Sequence, residues 1–249
     1  MIAASVGFQC PDDVQAGARS VRAPRTSFGG RLSADTSRVT LGLVVLNVLV
    51  YLVQLVRPEL PVQLGNLALA SDGGQLIGVA EGQYYRLLTA AFLHGGVLHL
   101  LLNMYALSAI GPSLEAALGR TRYLALYLLA ALGGSTLSYL VSAPGTLGVG
   151  ASGAIFGLFG AFYVVVRRMG GDTNQILVLL GVNLLITFSV PLIDWRAHLG
   201  GLAVGLVLAA VFAYTPAGPR RGAAHVAACA GVLAVLVVAV LLRTSALQL

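Results

Sequence analysis

The chain has 249 residues, 57% of them hydrophobic and 10% charged, with a mean hydropathy of +0.88. Water-soluble domains carry roughly a quarter charged residues, so a globular enzyme with a polar shell is excluded and a membrane protein is expected. All fifteen basic residues are arginine, set against nine acids. They lie between apolar segments rather than in a phosphate-facing cluster, which argues against nucleic acid as a partner.

Residues 1–38 hold five arginines and neither a long apolar run nor a small-residue cleavage pattern, so they read as a basic cytoplasmic tail rather than a signal peptide. Apolar runs near the length of a membrane helix then recur seven times: Val39–Val56, Val97–Ile110, Tyr123–Val141, Ser152–Val166, Gln175–Val190, His198–Tyr214 and Ala223–Leu242. The expectation is an all-α polytopic bundle: a core of six helices over 39–214, then a linker and a seventh helix over 215–249. With the tail inside, eleven of the fifteen arginines face the cytoplasm and Arg57, Arg86, Arg196 and Arg243 face out. Arginine asymmetry of this kind sets orientation, so the N-terminus is expected inside and the C-terminus outside, in the cell inner (plasma) membrane. The long loop after Arg57 is then external, and its mildly apolar stretch Leu64–Ala70 is expected in the membrane interface. Cys10 and Cys229 supply neither a disulfide framework nor a metal set.

Three segments place polar chemistry where a bilayer should exclude it. His94, His99 and Asn103 open the second span, Gly150-Ala151-Ser152-Gly153 opens the fourth, and Ala197-His198 with Gly201 opens the sixth. Under the proposed topology all three spans run inward, so the three motifs meet near the outer leaflet. His99 and Asn103 are four apart, hence on one helix face. Ser152 sits at a helix start, where unpaired N–H groups and the positive dipole end favour a developing oxyanion. A serine needs a base within hydrogen-bond reach, and His198 is the candidate. Gly153 with Gly157, and Gly201 with Gly205, have the small-residue spacing that lets two membrane helices approach. The Ser152 N–H, the Asn103 amide and the His99 imidazole are suitable donors for the tetrahedral oxygen.

Simpler readings stand beside this one. A lone membrane serine usually bonds back to its own helix, and His225 reads as a helix-end residue near Arg220 and Arg221. His94, His99 and His198 could form a three-histidine zinc site, although no H-E-x-x-H is present and Ser152 would have no role there. Gly148–Gly153 matches the G-x-G-x-x-G dinucleotide fingerprint, but no strand precedes it. A transporter or channel lined by histidine and asparagine remains open.

On these residues the chain resembles the rhomboid family of intramembrane serine proteases. Tyr84-Tyr85-Arg86, followed by His94, His99 and Asn103, is similar to that family's first external loop and second helix, with Tyr85 where tryptophan is usual. Gly111–Gly119, with Glu115 inside it, resembles the stretch after the second helix, and Glu115 and Arg122 are assigned a structural role. Gly150-Ala151-Ser152-Gly153 resembles the nucleophile motif and Ala197-His198 the base motif. Phe156 stands where the family often carries a tyrosine that packs on the base.

The resemblance implies a Ser152 and His198 dyad without an acid, an oxyanion site from Ser152 N–H, His99 and Asn103, and His94 helping to retain a water. It implies single-pass membrane proteins as substrates within the lipid bilayer, cut where the helix unwinds easily, and no cofactor. Access is expected between the second and fifth spans, near Asn183 to Pro191. A non-catalytic rhomboid-like protein that holds membrane helices is the alternative within the family.

Overall fold

The computed structural model describes residues 1–3, 6–20, 25–31 and 37–248. Arg22 and the side chain of Arg19, both counted toward the basic tail, lie outside the described residues. Among the described residues seven long helices carry the fold: α1 Arg38–Val56, α2 Val97–Leu118, α3 Arg120–Val141, α4 Ser152–Arg168, α5 Asn174–Ser189, α6 Trp195–Tyr214 and α7 Arg221–Leu247. Five of them, α1, α2, α3, α6 and α7, are long and apolar enough to cross a membrane. The protein is a multi-pass helical membrane bundle.

The bundle turns its polar side inward. In α1 the buried positions are Thr40, Leu43, Asn47, Tyr51 and Gln54, a stripe at helical spacing, while Leu41, Leu49 and Leu52 point outward. Lipid solvates leucine as well as protein does, so what packs inside a membrane protein is small or hydrogen-bonding side chains.

α4 is the central helix, buried on nearly every side from Gly153 to Ala161, and it crosses α6 with backbone nearly touching backbone. A Cβ built on Gly201 would collide with the Gly153 carbonyl, and one on Gly205 with the Gly157 carbonyl. This is the approach that the paired glycine spacing predicts. With 17 residues, α4 is about 25 Å long, less than the ~30 Å hydrocarbon core.

One expectation needs correction. The second span does not end at Ile110 but continues through Pro112 to Leu118, and α3 follows after Gly119 alone. Gly111–Gly119 is thus mostly the last turns of α2 rather than a connection after it. The extension delivers Glu115 to the start of α1, where its carboxyl oxygens accept from Val39 N (3.0 Å), Thr40 N (2.9 Å) and the Thr40 hydroxyl (2.9 Å). Those backbone donors are orphans of a helix start, and a side chain from another helix caps them.

In the loop between α1 and α2, the stretch Leu64–Ala70 is partly folded into the protein. Asn66, Leu67 and Ala68 are buried in the protein, held by Val79 N to Leu67 O (2.9 Å) and Ala80 N to Ala68 O (3.0 Å). His225 is a helix-end residue, in the first turns of α7 beside Arg221; it is also buried, accepts from Arg122 Nε at 2.7 Å and packs beside Phe212.

Candidate active site

The loop between α1 and α2 is organised by Arg86. Its guanidinium is almost fully buried and donates to Val62 O (2.6 Å), Gly65 O (3.1 Å) and Gln83 Oε1 (2.6 Å). Five donors in a rigid fork suit one side chain to tie several loop segments at once. The loop so fixed grips the segment that leads into α4. Asn66 and Gly148 exchange backbone hydrogen bonds (2.9 and 2.7 Å), and Gly150 N donates to Ala90 O (2.9 Å).

Between α2 and α5, and beneath that segment, lies a cavity of about 540 Å³. Leu98, His99, Leu102 and Asn103 of α2 form one wall, and Ser152, Phe156 and Phe159 of α4 the floor. Asn183 of α5, together with Val190 and Leu192 beyond its end, stands opposite α2, and Asp194 and His198 close the far side. Motifs separated by about a hundred residues in sequence therefore reach one chamber.

Ser152 and His198 both line this cavity, from the two helices that approach most closely. No hydrogen bond joins them among the described residues. The His198 ring stacks on Phe156, with ring centroids 4.0 Å apart and planes 16° from parallel. Its Nδ1 lies 2.7 Å from the Thr187 hydroxyl of α5. Asp194 caps the start of α6, accepting from Arg196 N (3.1 Å) and Ala197 N (3.4 Å), and takes a third hydrogen bond from the Ser138 hydroxyl.

His99 Nδ1 accepts from Gly95 N (3.2 Å), so the neutral ring carries its proton on Nε2. Gly150 has φ +133°, a conformation that excludes other residues, and it also keeps a space open. A Cβ there would stand 2.9 Å from His99 Nε2 and 3.5 Å from Ser152 Oγ. Asn103 spends one amide N–H on His99 O (2.8 Å) and retains a second. His94 is not on the cavity wall. It packs edge-on against His99 and Tyr51, and its backbone is clasped by Gln54 (2.9 and 3.1 Å). In the loop ahead of α2, burial holds the His94 ring down at about 4, with His99 adding to the effect. Gly153 and Gly201 lie at the helix crossing rather than in the cavity wall.

Two contributors escaped the sequence reading. Thr187 belongs to no motif, although Asn183 and Thr187 are a polar pair four apart in an otherwise apolar helix, the same signal that marks His99 and Asn103. Asn66 lies in a loop, where spacing carries no signal.

A helical membrane bundle with a cavity that gathers a hydroxyl, an imidazole and amide donors defines the class of protein. Residues 81–215, just over half of the chain, match the Rhomboid domain, and the chain belongs to the rhomboid family. It is similar to RHOMBOID-like protein 5 of Arabidopsis thaliana, 38% identical over 146 residues that are 55% of this chain and 47% of the relative. It is similar to YdcA of Bacillus subtilis, 37% identical over 140 residues, 54% of this chain and 70% of YdcA. Rhomboid protease GluP of the same bacterium is 39% identical over 145 residues, 56% of this chain and 28% of GluP. The chain thus spans about half the length of the first of these relatives.

Proposed function

We propose that the protein is an intramembrane serine endopeptidase that cuts transmembrane helices of other membrane proteins near the outer face. The observation that carries this reading is the meeting of Ser152, His198, His99 and Asn103 on one cavity. In the proposed reaction His198 Nε2 takes the Ser152 proton while Oγ attacks the scissile carbonyl. The tetrahedral oxygen is held by Ser152 N–H, His99 Nε2–H and the free Asn103 N–H; the open space at Gly150 between His99 and Ser152 suits that oxygen. One such donor is worth about 3 kcal/mol of barrier. Collapse breaks the C–N bond as His198 returns the proton to the leaving amine, and water then releases the acyl group by the same route. Catalytic hydrogen bonds are often long before substrate binds, which accommodates the unbonded Ser152 and His198.

Substrates would enter between α2 and α5, whose outward face is exposed from Leu177 to Phe188. An intact helix hides its carbonyls, so cleavage should favour segments with glycine or proline. The decisive experiment incubates the purified protein with a transmembrane peptide: wild type should cleave it, and Ser152→Ala and His198→Ala should not. Equal cleavage by all three, or none by wild type across varied peptides, would overturn the reading. The proposed orientation places the exposed Cys10 in the cytoplasm, so a membrane-impermeant maleimide should label it only after the inner side is opened.

A further inference from the structure

A serine protease base usually relies on a third group to fix its tautomer. Here the one polar side chain buried on α5 is Thr187, 2% exposed. Its hydroxyl oxygen lies 2.7 Å from His198 Nδ1 and 2.7 Å from Asn183 O, one turn back on its own helix. A threonine hydroxyl has one proton and two lone pairs, and a backbone carbonyl only accepts. The proton therefore goes to Asn183 O, and Nδ1 must donate to Thr187 Oγ1. A neutral imidazole carries a single N–H, so the lone pair is on Nε2, the atom that a serine base needs. Phe156 fixes the plane of the ring, and Thr187 fixes its rotation within that plane. This is also the only hydrogen bond among the described residues that joins α5 to another helix.

Resting on the peptidase reading, we propose that Thr187 is the positioning residue of the base: a neutral hydroxyl that sets the tautomer and angle of His198 from α5. No carboxylate performs this task, because Asp194 is engaged by Ser138 and the α6 amides.

The test compares Thr187→Val, close in shape but without the hydroxyl, with Thr187→Ser, which keeps it. The valine variant should lose about tenfold to a hundredfold in kcat, the scale of one or two hydrogen bonds, with KM little changed, and serine should restore most of the loss. Nitrogen-15 NMR of labelled histidine should show His198 protonated on Nδ1 in wild type and Thr187→Ser, and shifted toward Nε2 protonation in Thr187→Val. Wild-type kcat in the valine variant, or an Nε2-protonated ring in wild type, would overturn the proposal. If wild type cleaves nothing, the peptidase reading fails alone, and the NMR signature still decides whether Thr187 sets the ring.

Discussion

Two buried polar clusters sit at opposite ends of the bundle, and they are built on opposite principles. At the end where α1 begins Glu115 is saturated: it caps Val39 and Thr40, lies 3.7 Å from Arg120 Nε, and reaches Tyr123 through the Thr40 hydroxyl. At the end where α4 begins several groups are left without partners. Both ring nitrogens of His94 and the Asn66 side-chain oxygen are buried without a partner among the described residues, and the Ser152 hydroxyl has no hydrogen bond there. Buried polar groups are normally paired because an orphan costs about 1–3 kcal/mol. The Glu115 carboxylate is thus satisfied by its neighbours, whereas Asn66 and Ser152, both lining the cavity, keep hydrogen-bonding capacity to spare.

That contrast can be broken most directly by removing the central groups. Ser152→Ala should lower cleavage at least about a thousandfold and leave thermal stability in detergent unchanged, because its hydroxyl makes no hydrogen bond among the described residues. His198→Ala should lower cleavage as much but also lower the melting temperature, since it removes the Thr187 hydrogen bond and the Phe156 stack. Glu115→Ala should do the reverse of Ser152→Ala. It orphans two backbone donors and a hydroxyl, so the bundle should lose about 3 kcal/mol or more, read as a fall in melting temperature. If the serine variant melts early or the glutamate variant melts normally, the division between the two ends fails.

The α4–α6 crossing separates them, and it offers an intermediate test. Gly205→Ala drives a methyl into the Gly157 carbonyl and should cost about 1–3 kcal/mol by overpacking, along with activity, since the same helices carry Ser152 and His198. Gly231→Ala on α7 meets nothing within contact distance and should change neither the melting temperature nor cleavage.

The sequence made these helices legible because the bilayer imposes a length and an apolar composition that few other constraints disturb. The start of α4 at Ser152 and the glycine pairs of the crossing were readable for the same reason: a close approach admits only small residues. Pro112 hid the true end of α2, since the periodic signal breaks there although the helix does not. The loop was opaque. Arg86 holds it by three acceptors up to two dozen residues away, and no local pattern encodes a contact of that kind. Thr187 was missed because one hydroxyl in an apolar helix usually bonds only its own backbone; here it does that and also meets His198.

Phe156 provides the smallest and sharpest probe of the cavity. It replaces a tyrosine common in the resembling family, so the stacking surface is retained while the hydroxyl is lost. The ring is buried, lies nearly parallel to His198 at 4.0 Å, and meets Phe159 edge-on at 6.1 Å. If stacking is its contribution, Phe156→Tyr should leave kcat within about twofold, because the ring face presented to His198 is unchanged. Phe156→Leu keeps the apolar character but not the flat face, and an aromatic contact is worth about 0.5–1.5 kcal/mol, so kcat should fall about threefold to tenfold. Steady-state cleavage of one transmembrane peptide by the three proteins decides the matter. A large gain in the tyrosine variant would mean that the cavity lacks a hydroxyl it needs; a leucine variant as fast as wild type would leave Thr187 alone in holding the base.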